Sequence, residues 1–508
     1  MTNEKLVTGD WARGPAGTNE VQWTLPGIWA YDKDAPMLGL SWELPDSETI
    51  VFRIRKGVYF HNKPPAMGRE MTAEDVAYSI WRKNLDPQSI FYTRTEADRI
   101  RSVQAVDKWT VVVKVPPILQ GSYIQGIYAE TWIFPKELGE KGVTTAWQDV
   151  IGTGPFIVSD YVPVSAISFK KNPTYWLADP VRPQNKLPYV DNFRILIIQD
   201  PSTRISALRT GKIDAYRGLA WDEGESVIKS NPELQYARYL LHTAPIIYMR
   251  LDKAGLPYQD IKVRRALNMS VDRDTIIKGY YNGNAEKFAQ PVMPTGELAD
   301  IFVPLSEQSK ENQELYQYLP DKAKQLLKEA GYPNGFKAKV VCEAAQVDIL
   351  SIVKEQWAKI GVIIDLDVKE SGTYQSIQRG GGWEDMLMAY ETGIYYTVPL
   401  GFLKEYYPTY NRGNAYDQYI EDFYREKMLP YRGPIADKIL RKNLKELVPY
   451  LVSVAFRVEL PTPYLYGIWQ PWVGGYHGEY STGRGWWNDF PMYVWVDPDI
   501  KFQYTGKR

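Results

Sequence analysis

Short segments in which hydrophobic and polar residues alternate recur along this chain, and each predicts a β-strand. In residues 49–55 the hydrophobic positions Ile50, Phe52 and Ile54 fall on one side, with the two-residue period of a strand that buries one face. Residues 109–115 are mostly apolar and are followed by Pro116, which predicts a buried strand that ends there.

Helical patterns alternate with these strands. Thr72 begins a predicted helix, because Asp75 three residues later completes a capping box. Asp200 occupies the N-cap position of another helix, with proline first in residues 201–209. A strand is predicted to follow at 213–216.

The second half of the chain repeats the order of helix, glycine and strand. Predicted helices over 321–330 and 347–360 end at Gly331 and Gly361, and the second leads directly into a predicted strand over 362–368. This order is typical of α/β proteins. We therefore predict an α/β fold with long loops.

The length of 508 residues predicts about two to four domains, at roughly 100 to 200 residues each. The proline-containing segments Ala244-Pro245 and 461–463 are the candidate crossings between two lobes.

Cys342 is the only cysteine, so an intrachain disulfide and a Cys-based zinc cluster are excluded. Its apolar neighbours predict a buried core residue. The first residues carry no apolar signal region, so either the protein is cytoplasmic or a leader has been removed.

Composition excludes several functional classes. The net charge is −1, which argues against a nucleic-acid-binding surface, and no apolar run approaches the roughly 20 residues that span a bilayer. Aromatic residues make up 14% of the chain, among them 37 tyrosines, which excludes a disordered chain. Tyrosine suits surfaces that are partly apolar and partly wet, so the surplus is compatible with an aromatic core, a sugar-active enzyme or a binding protein.

Enzyme signatures are mostly absent. The sequence contains neither a Walker phosphate loop nor a G-x-S-x-G nucleophile elbow. The three histidines, His61, His242 and His477, are too far apart for a zinc pair on one helix, and we expect no metal and no cofactor. A Ser–His–Asp triad would need one of them and stays open. His61 is more simply interpreted as capping a loop through a hydrogen bond.

Paired carboxylates that hydrolyse a glycosidic bond are the main catalytic alternative, because 61 acidic residues are available and sequence does not reveal the distances between them. Glu391, which follows the apolar run 386–390, is the candidate for a perturbed carboxylate. The alternative is an acid at the end of a strand that faces water.

Aromatic residues with polar neighbours form the candidate ligand-binding site. Flat rings beside hydrogen-bonding groups suit an extended ligand such as a peptide or an oligosaccharide. The alternative is that most of these rings fill the core between lobes. The candidate ligand-binding residues are Trp383, Tyr390, Glu391, Tyr395, Tyr396, Thr397, Phe402, Trp469, Trp472, Trp486, Trp487 and Asn488.

Seven blocks of sequence together carry a family resemblance. They are L-G-L-S-W-E at 38–43, F-R-I-R-K-G-V-Y-F-H at 52–61, M-T-A-E-D-V at 71–76, G-T-G-P-F at 152–156, K-N-P-T-Y-W at 171–176, V-R-R-A-L-N-M-S-V-D-R at 263–273 and A-K-Q-L-L-K-E-A-G-Y-P-N-G-F at 323–336. In this order they resemble the extracellular solute-binding proteins (family 5) of ATP-driven importers for oligopeptides, dipeptides and nickel.

The resemblance implies a two-lobed periplasmic-binding-protein type II fold with an extra subdomain in the first lobe. Lobe one would comprise residues 1–243, with the subdomain inserted near 45–150, and the chain would return to it at 460–508. Lobe two would comprise 244–459. The family's opening segment corresponds to residues 3–6, so we expect the chain to lack its leader and its first strand.

The resemblance also implies a binding protein rather than an enzyme. It would capture an oligopeptide or oligosaccharide between the lobes and deliver it to the transmembrane subunits of an ABC permease. We expect a monomer in the periplasm or outside the cell, with no nucleic-acid partner, and a lipid anchor stays open. The alternatives are a secreted carbohydrate-active hydrolase with paired carboxylates, and a surface sensor or chaperone on the same fold.

One departure from the family concerns the ligand. In peptide-binding members, an Asp before a P-x-x-F-L segment resembles an anchor for the peptide's amino group. Here that segment is residues 399–403 and the matching position is Tyr395. A desolvated ammonium needs a nearby anion, so Tyr395 favours a neutral ligand such as an oligosaccharide, unless Glu391 supplies the charge.

Overall fold

The computed structural model describes residues 1–23, 31–89, 91–92, 96–140, 146–240, 243–294, 296–392, 412–431, 436–480, 482 and 490–506. The strands up to residue 240 are β1 (Val7–Gly9), β2 (Asp34–Pro36), β3 (Gly39–Glu43), β4 (Thr49–Ile54), β5 (Ser102–Asp107), β6 (Thr110–Lys114), β7 (Phe156–Val162), β8 (Ala166–Lys171), β9 (Asn192–Leu196), β10 (Ala215–Ala220) and β11 (Gln235–Leu240). The α-helices of this part are α1 (Ala73–Asn84), α2 (Gln120–Glu130), α3 (Lys136–Glu140), α4 (Pro201–Arg209) and α5 (Trp221–Ser230).

The strands of the remaining chain are β12 (Thr243–Met249), β13 (Ala285–Glu286), β14 (Phe336–Glu343), β15 (Val362–Lys369), β16 (Met386–Thr392), β17 (Arg457–Glu459), β18 (Thr462–Trp469), β19 (Val473–Gly474) and β20 (Trp495–Val496). Its α-helices are α6 (Ile261–Met269), α7 (Arg273–Thr275), α8 (Lys310–Leu315), α9 (Pro320–Glu329), α10 (Val347–Ala358), α11 (Ser371–Gly380), α12 (Gln418–Phe423), α13 (Asp437–Ser453) and α14 (Pro498–Thr505). A π-helical turn over Ile276–Tyr280 continues α7.

The sheet β3-β4-β6-β5 forms one layer, against which α1 packs. Ile50, Phe52 and Ile54 of β4 are all at most 1% exposed, as the alternation predicted. The capping box between Thr72 and Asp75 is present at the start of α1. The predicted strand over 109–115 is confirmed as β6.

A second sheet, β10-β18-β11, brings the end of the chain back beside its first half, and α4 and α5 accompany it. The Asp200 side chain accepts a hydrogen bond from the Thr203 amide and caps α4, as predicted. Strand β10 begins two residues later than predicted, because the Ile213 amide bonds to the Ala207 carbonyl in the turn that closes α4.

The third large sheet has the order β15-β14-β16-β12-β17. Strand β14 runs parallel to β15 and β16, whereas β12 is antiparallel to its neighbours. The predicted elements over 321–330, 347–360 and 362–368 are present as α9, α10 and β15. Cys342 in β14 is fully buried, which confirms it as a core residue, and burial raises the pKa of its thiol to about 11.

The chain passes between the second and third sheets twice, from β11 to β12 and from β17 to β18. The predicted break at Ala244-Pro245 was too late by a few residues: Pro245 pairs with Tyr390 inside β12, and its carbonyl accepts a bond from the Leu460 amide. A short strand, β13, also pairs with β18. The α/β architecture is therefore two-lobed. The exact lobe and subdomain limits stay a prediction.

Candidate functional site

Four aromatic side chains from α5, the π-helical turn after α7 and β16 lie near one another, and we call them the aromatic recess. Trp221 begins α5, directly after β10, whereas Tyr280 and Tyr281 lie at the end of the π-helical turn after α7. Tyr390 lies on β16. The ring centroids of Trp221 and Tyr281 are 6.4 Å apart, those of Tyr280 and Tyr281 are 4.8 Å apart, and both pairs meet edge to face.

The tyrosines of the recess differ in exposure and influence one another electrostatically. The Tyr390 side chain is 40% exposed, yet desolvation, followed by the nearby Tyr280 and Glu343, raises the pKa of its hydroxyl to about 12. Desolvation and the neighbouring Tyr390 also raise the pKa of Tyr281. Tyr281 is itself 4% exposed and belongs to the hydrophobic core, whereas Tyr390 is partly open to solvent.

Two carboxylates act electrostatically on Tyr280. Burial raises the pKa of Tyr280, and the negative charges of Asp348 and Asp222 add to the effect. Asp222 lies in the first turn of α5, and Asp348 lies in the first turn of α10. Both side chains are exposed.

Three of the predicted site residues are buried in the protein interior. Trp383 is 2% exposed and lies under the Arg250 guanidinium, whose centre is 5.2 Å from the ring centroid. Trp469 Nε1 donates to a side-chain oxygen of Gln235 at 2.9 Å. Trp472, also 2% exposed, donates to Asp214 at 2.7 Å. The structure does not bring these rings to the recess, and their surroundings match the alternative expectation of a core role.

Tyr390 is the predicted site residue that the structure brings to the recess. Glu391 follows it on β16 and pairs with Ala244, but its side chain is outside the described part of the chain. The remaining predicted residues also lie outside the described residues and stay predictions; they are Tyr395, Tyr396, Thr397, Phe402, Trp486, Trp487 and Asn488.

Sequence reasoning missed Trp221, Tyr280 and Tyr281. The sequence analysis selected segments that are dense in aromatic residues. Trp221 and Tyr280 were not selected together, because they are 59 positions apart in the sequence. The adjacent Tyr280-Tyr281 pair before the Asn282-Gly283 turn was a usable signal, because two consecutive tyrosines at the end of an element frequently leave one ring at a surface.

The described residues give no indication of a metal site. Within the described ranges, no three His, Cys, Asp or Glu side chains are grouped so that they could hold an ion. His61 is fully buried; its Nε2 bonds to the Gly154 carbonyl at 3.0 Å, and its Nδ1 accepts from the Gly152 amide at 3.4 Å. This confirms its predicted loop-capping role. Among the described segments, no helix has the length and apolar character needed to cross a bilayer.

Comparison with known proteins adds the family. The model for "Bacterial extracellular solute-binding proteins, family 5 Middle" matches residues 34–414. Heme-binding protein A of Haemophilus influenzae is 28% identical over 355 residues, which cover 64% of this chain and 60% of that protein. Di/tripeptide-binding protein 1 of Pseudomonas aeruginosa is 27% identical over 387 residues, or 70% of this chain and 67% of that protein.

A solved structure supports the fold over nearly the whole chain. The ABC transporter-associated periplasmic binding protein DppA from Helicobacter pylori, in complex with the peptide STSA, matches with a TM-score of 0.72 and 24% identity, covering 97% of this chain and 92% of that one. The two-lobed architecture is thus that of periplasmic binding proteins. Since the family model covers most of its length, this chain belongs to the bacterial extracellular solute-binding proteins of family 5.

Proposed function

We propose that this protein works outside the cytoplasm and captures a short peptide, or another ligand of similar size, between its two lobes. It then presents the ligand to the membrane permease of an ABC importer. The observation that carries this proposal is the aromatic recess, in which Trp221 follows β10 of the second sheet and Tyr390 lies on β16 of the third. With the proposed lobe limits, Trp221 would belong to lobe one and the three tyrosines to lobe two. A ligand that touches both walls binds the closed form better than the open form, and so favours closure.

The family and the printed names of relatives support a binding role. One relative is named for heme and another for di- and tripeptides, and the Helicobacter structure holds a peptide. An oligosaccharide stays in the proposal as a second ligand class, because aromatic walls suit sugars as well as peptides. The predicted residues on both sides of Tyr390, among them Glu391 and Thr397, are proposed as further contacts.

The lobe limits belong to the same proposal. Residues 1–243 and 460–508 would form lobe one, with the subdomain near 45–150, and residues 244–459 would form lobe two. The two passages of the chain between sheets, at β11–β12 and β17–β18, support this division. We further propose a monomer, since one chain supplies both walls of the recess.

Mass spectrometry of small molecules that co-purify with the protein tests the proposal directly. A thermal-shift panel of di- and tripeptides, oligosaccharides, heme and nickel accompanies it, because a ligand at 100 times its Kd adds about 2.7 kcal/mol of stability. We expect one ligand class to raise the melting temperature without being altered. Release of shortened oligosaccharides would contradict a binding protein and support the hydrolase alternative.

Tyr390→Ala tests whether the recess is the site. Tyr161 on β7 is a matched control, because it is 38% exposed against 40% for Tyr390 and lies in a different sheet. We expect Tyr390→Ala to reduce the ligand-induced shift by at least half and Tyr161→Ala to leave it unchanged. Equal shifts in the two variants would place the site elsewhere.

A further inference from the structure

We propose that this protein contacts a lipid bilayer through the turn between β7 and β8 and the adjacent end of β9. Exposed hydrophobic side chains form this surface, which we call the apolar tip; they are Tyr161, Val162, Val164, Leu196 and Ile197. The inference goes beyond the proposed function, because it concerns a surface other than the aromatic recess and a partner other than the transported ligand.

Backbone hydrogen bonds hold the apolar tip together at one end of the sheet β7-β8-β9. Val162 pairs with Ala166 across the turn, and Ala166 pairs with Leu196 on β9. The Ile197 amide donates to the Ser165 carbonyl at 2.7 Å. Single exposed hydrophobic residues are common on protein surfaces, but a continuous exposed patch is typical of a contact site. The tip is such a patch.

Val164 lies at the end of the turn in a backbone conformation that valine rarely adopts. Its φ is 58°, in the left-handed region, where a β-branched side chain is strained. The Ser165 amide donates to the Val162 carbonyl at 3.1 Å and Pro163 comes second, as in type II turns, whose third position favours glycine. The Val164 side chain is 62% exposed, so packing within the described structure offsets little of this strain. A strained and exposed side chain points to a contact outside the chain.

The apolar tip carries no charge. Residues 161–168 and 195–198 contain no Asp, Glu, Lys, Arg or His, although charged residues make up 24% of the chain. Asp160 and Arg194, which precede the two stretches, have opposite signs, and both lie opposite Ser168 in the sheet. A partner that is recognised by charge does not fit this surface. The apolar boundary of a bilayer does.

The size of the apolar tip favours a bilayer over a second protein. Its five side chains are between 38% and 62% exposed. They present on the order of a few hundred Å² of apolar surface, less than the roughly 800 Å² that each partner buries in a stable protein interface. A membrane requires no complementary shape and accepts a protruding apolar turn. Tyr161 suits the boundary between lipid and water, because tyrosine has an apolar ring and a polar hydroxyl.

Co-sedimentation of the full chain with phosphatidylcholine vesicles tests the proposal. The vesicles are used at about 5 mM lipid, because a weak interfacial contact needs a high lipid concentration. We expect a substantial fraction of the protein to sediment with them. We also expect the same fraction at low and high sodium chloride, because salt screens charge attraction and the tip has no charge to screen.

Variants test the residues of the apolar tip. We expect Val164→Asn and Leu196→Ser each to reduce the sedimented fraction by at least half. Val164→Asn should also raise the melting temperature, because asparagine tolerates the left-handed region; a residue with only a structural role would not lose binding while stability increases. Met67→Asn is the matched control, because Met67 is 64% exposed with a φ of 48° but lies in a loop with the charged Lys63 and Arg69. It should leave vesicle binding unchanged.

Several results would overturn the membrane contact. It is wrong if the native protein stays in the supernatant, if both tip variants sediment like the native protein, or if Met67→Asn and Val164→Asn lose binding equally. Loss of binding in high salt would also refute it, because charge would then carry the contact. A dimer in size-exclusion chromatography with light scattering that Val164→Asn abolishes would identify a second copy as the partner instead of the bilayer. Each of these results leaves ligand capture standing, because the thermal-shift panel measures it separately.

Discussion

Arg69 neutralises Asp75, a fully buried carboxylate in α1, and replacing Arg69 by Met removes that positive charge. The guanidinium of Arg69 binds both oxygens of Asp75, at 2.5 and 2.9 Å, and the Asp75 side chain is 0% exposed. Breaking a buried ion pair from one side costs about 3–5 kcal/mol. Asp75 keeps two backbone donors, from Thr72 and Lys136, so we expect a loss near 3 kcal/mol in local stability.

Arg53→Met is the matched control, because Arg53 pairs with Glu43 at 3.3 Å and both side chains are about half exposed. Such a surface pair contributes less than about 1 kcal/mol. Hydrogen exchange followed by mass spectrometry on peptides from α1 measures the local opening free energy. A loss of 3 kcal/mol corresponds to roughly a hundredfold faster exchange. If Arg69→Met and Arg53→Met speed exchange in α1 equally, the buried pair does not stabilise this subdomain as argued.

Two further predictions concern stability. Burial lowers the pKa of His61 to about 4 from an unfolded value near 6.5, so the unfolded state takes up the proton first as the pH falls. The free energy of unfolding should therefore decrease by about 3 kcal/mol between pH 6.5 and pH 4. In urea unfolding at a series of pH values, the midpoints of His61→Gln should lack this part of the pH dependence. Gly224→Ala in α5 should lower the melting temperature, because the added carbon would lie 2.5 Å from the ring of Tyr466 on β18. Gly126→Ala in α2 meets nothing within 4 Å and should stabilise the protein by roughly 0.5–1 kcal/mol. The reverse order would contradict a close contact between α5 and β18.

Local chemistry made much of the fold predictable. The capping box of α1, the Asp-Pro start of α4 and the helix–glycine–strand order of α10 and β15 each depend on residues a few positions apart. Each of these interactions joins residues that are close in sequence, and each is present in the folded protein. The position of Pro245 was misread because proline usually marks a break, whereas here the residue lies near the start of β12 and its carbonyl still joins the ladder.

The site was less predictable because it depends on contacts that are distant in sequence. Trp221 and Tyr281 are 60 positions apart in the sequence, and their rings meet only in the folded protein. Trp469 and Trp472 illustrate the opposite error: they lie in a dense aromatic segment, but their indole N–H groups bond to Gln235 and Asp214. Aromatic density along the chain therefore identified a region, while tertiary contacts decided which rings line the recess.

The position of Cys342 has a practical consequence for measuring lobe motion. It is the only thiol in the chain, it is fully buried in β14, and its raised pKa keeps it protonated at neutral pH. A maleimide dye or a spin label reacts with exposed thiolates and would leave this one untouched. Two cysteines introduced on opposite lobes could therefore be labelled in the otherwise native sequence, and the distance between the labels would report opening and closing directly.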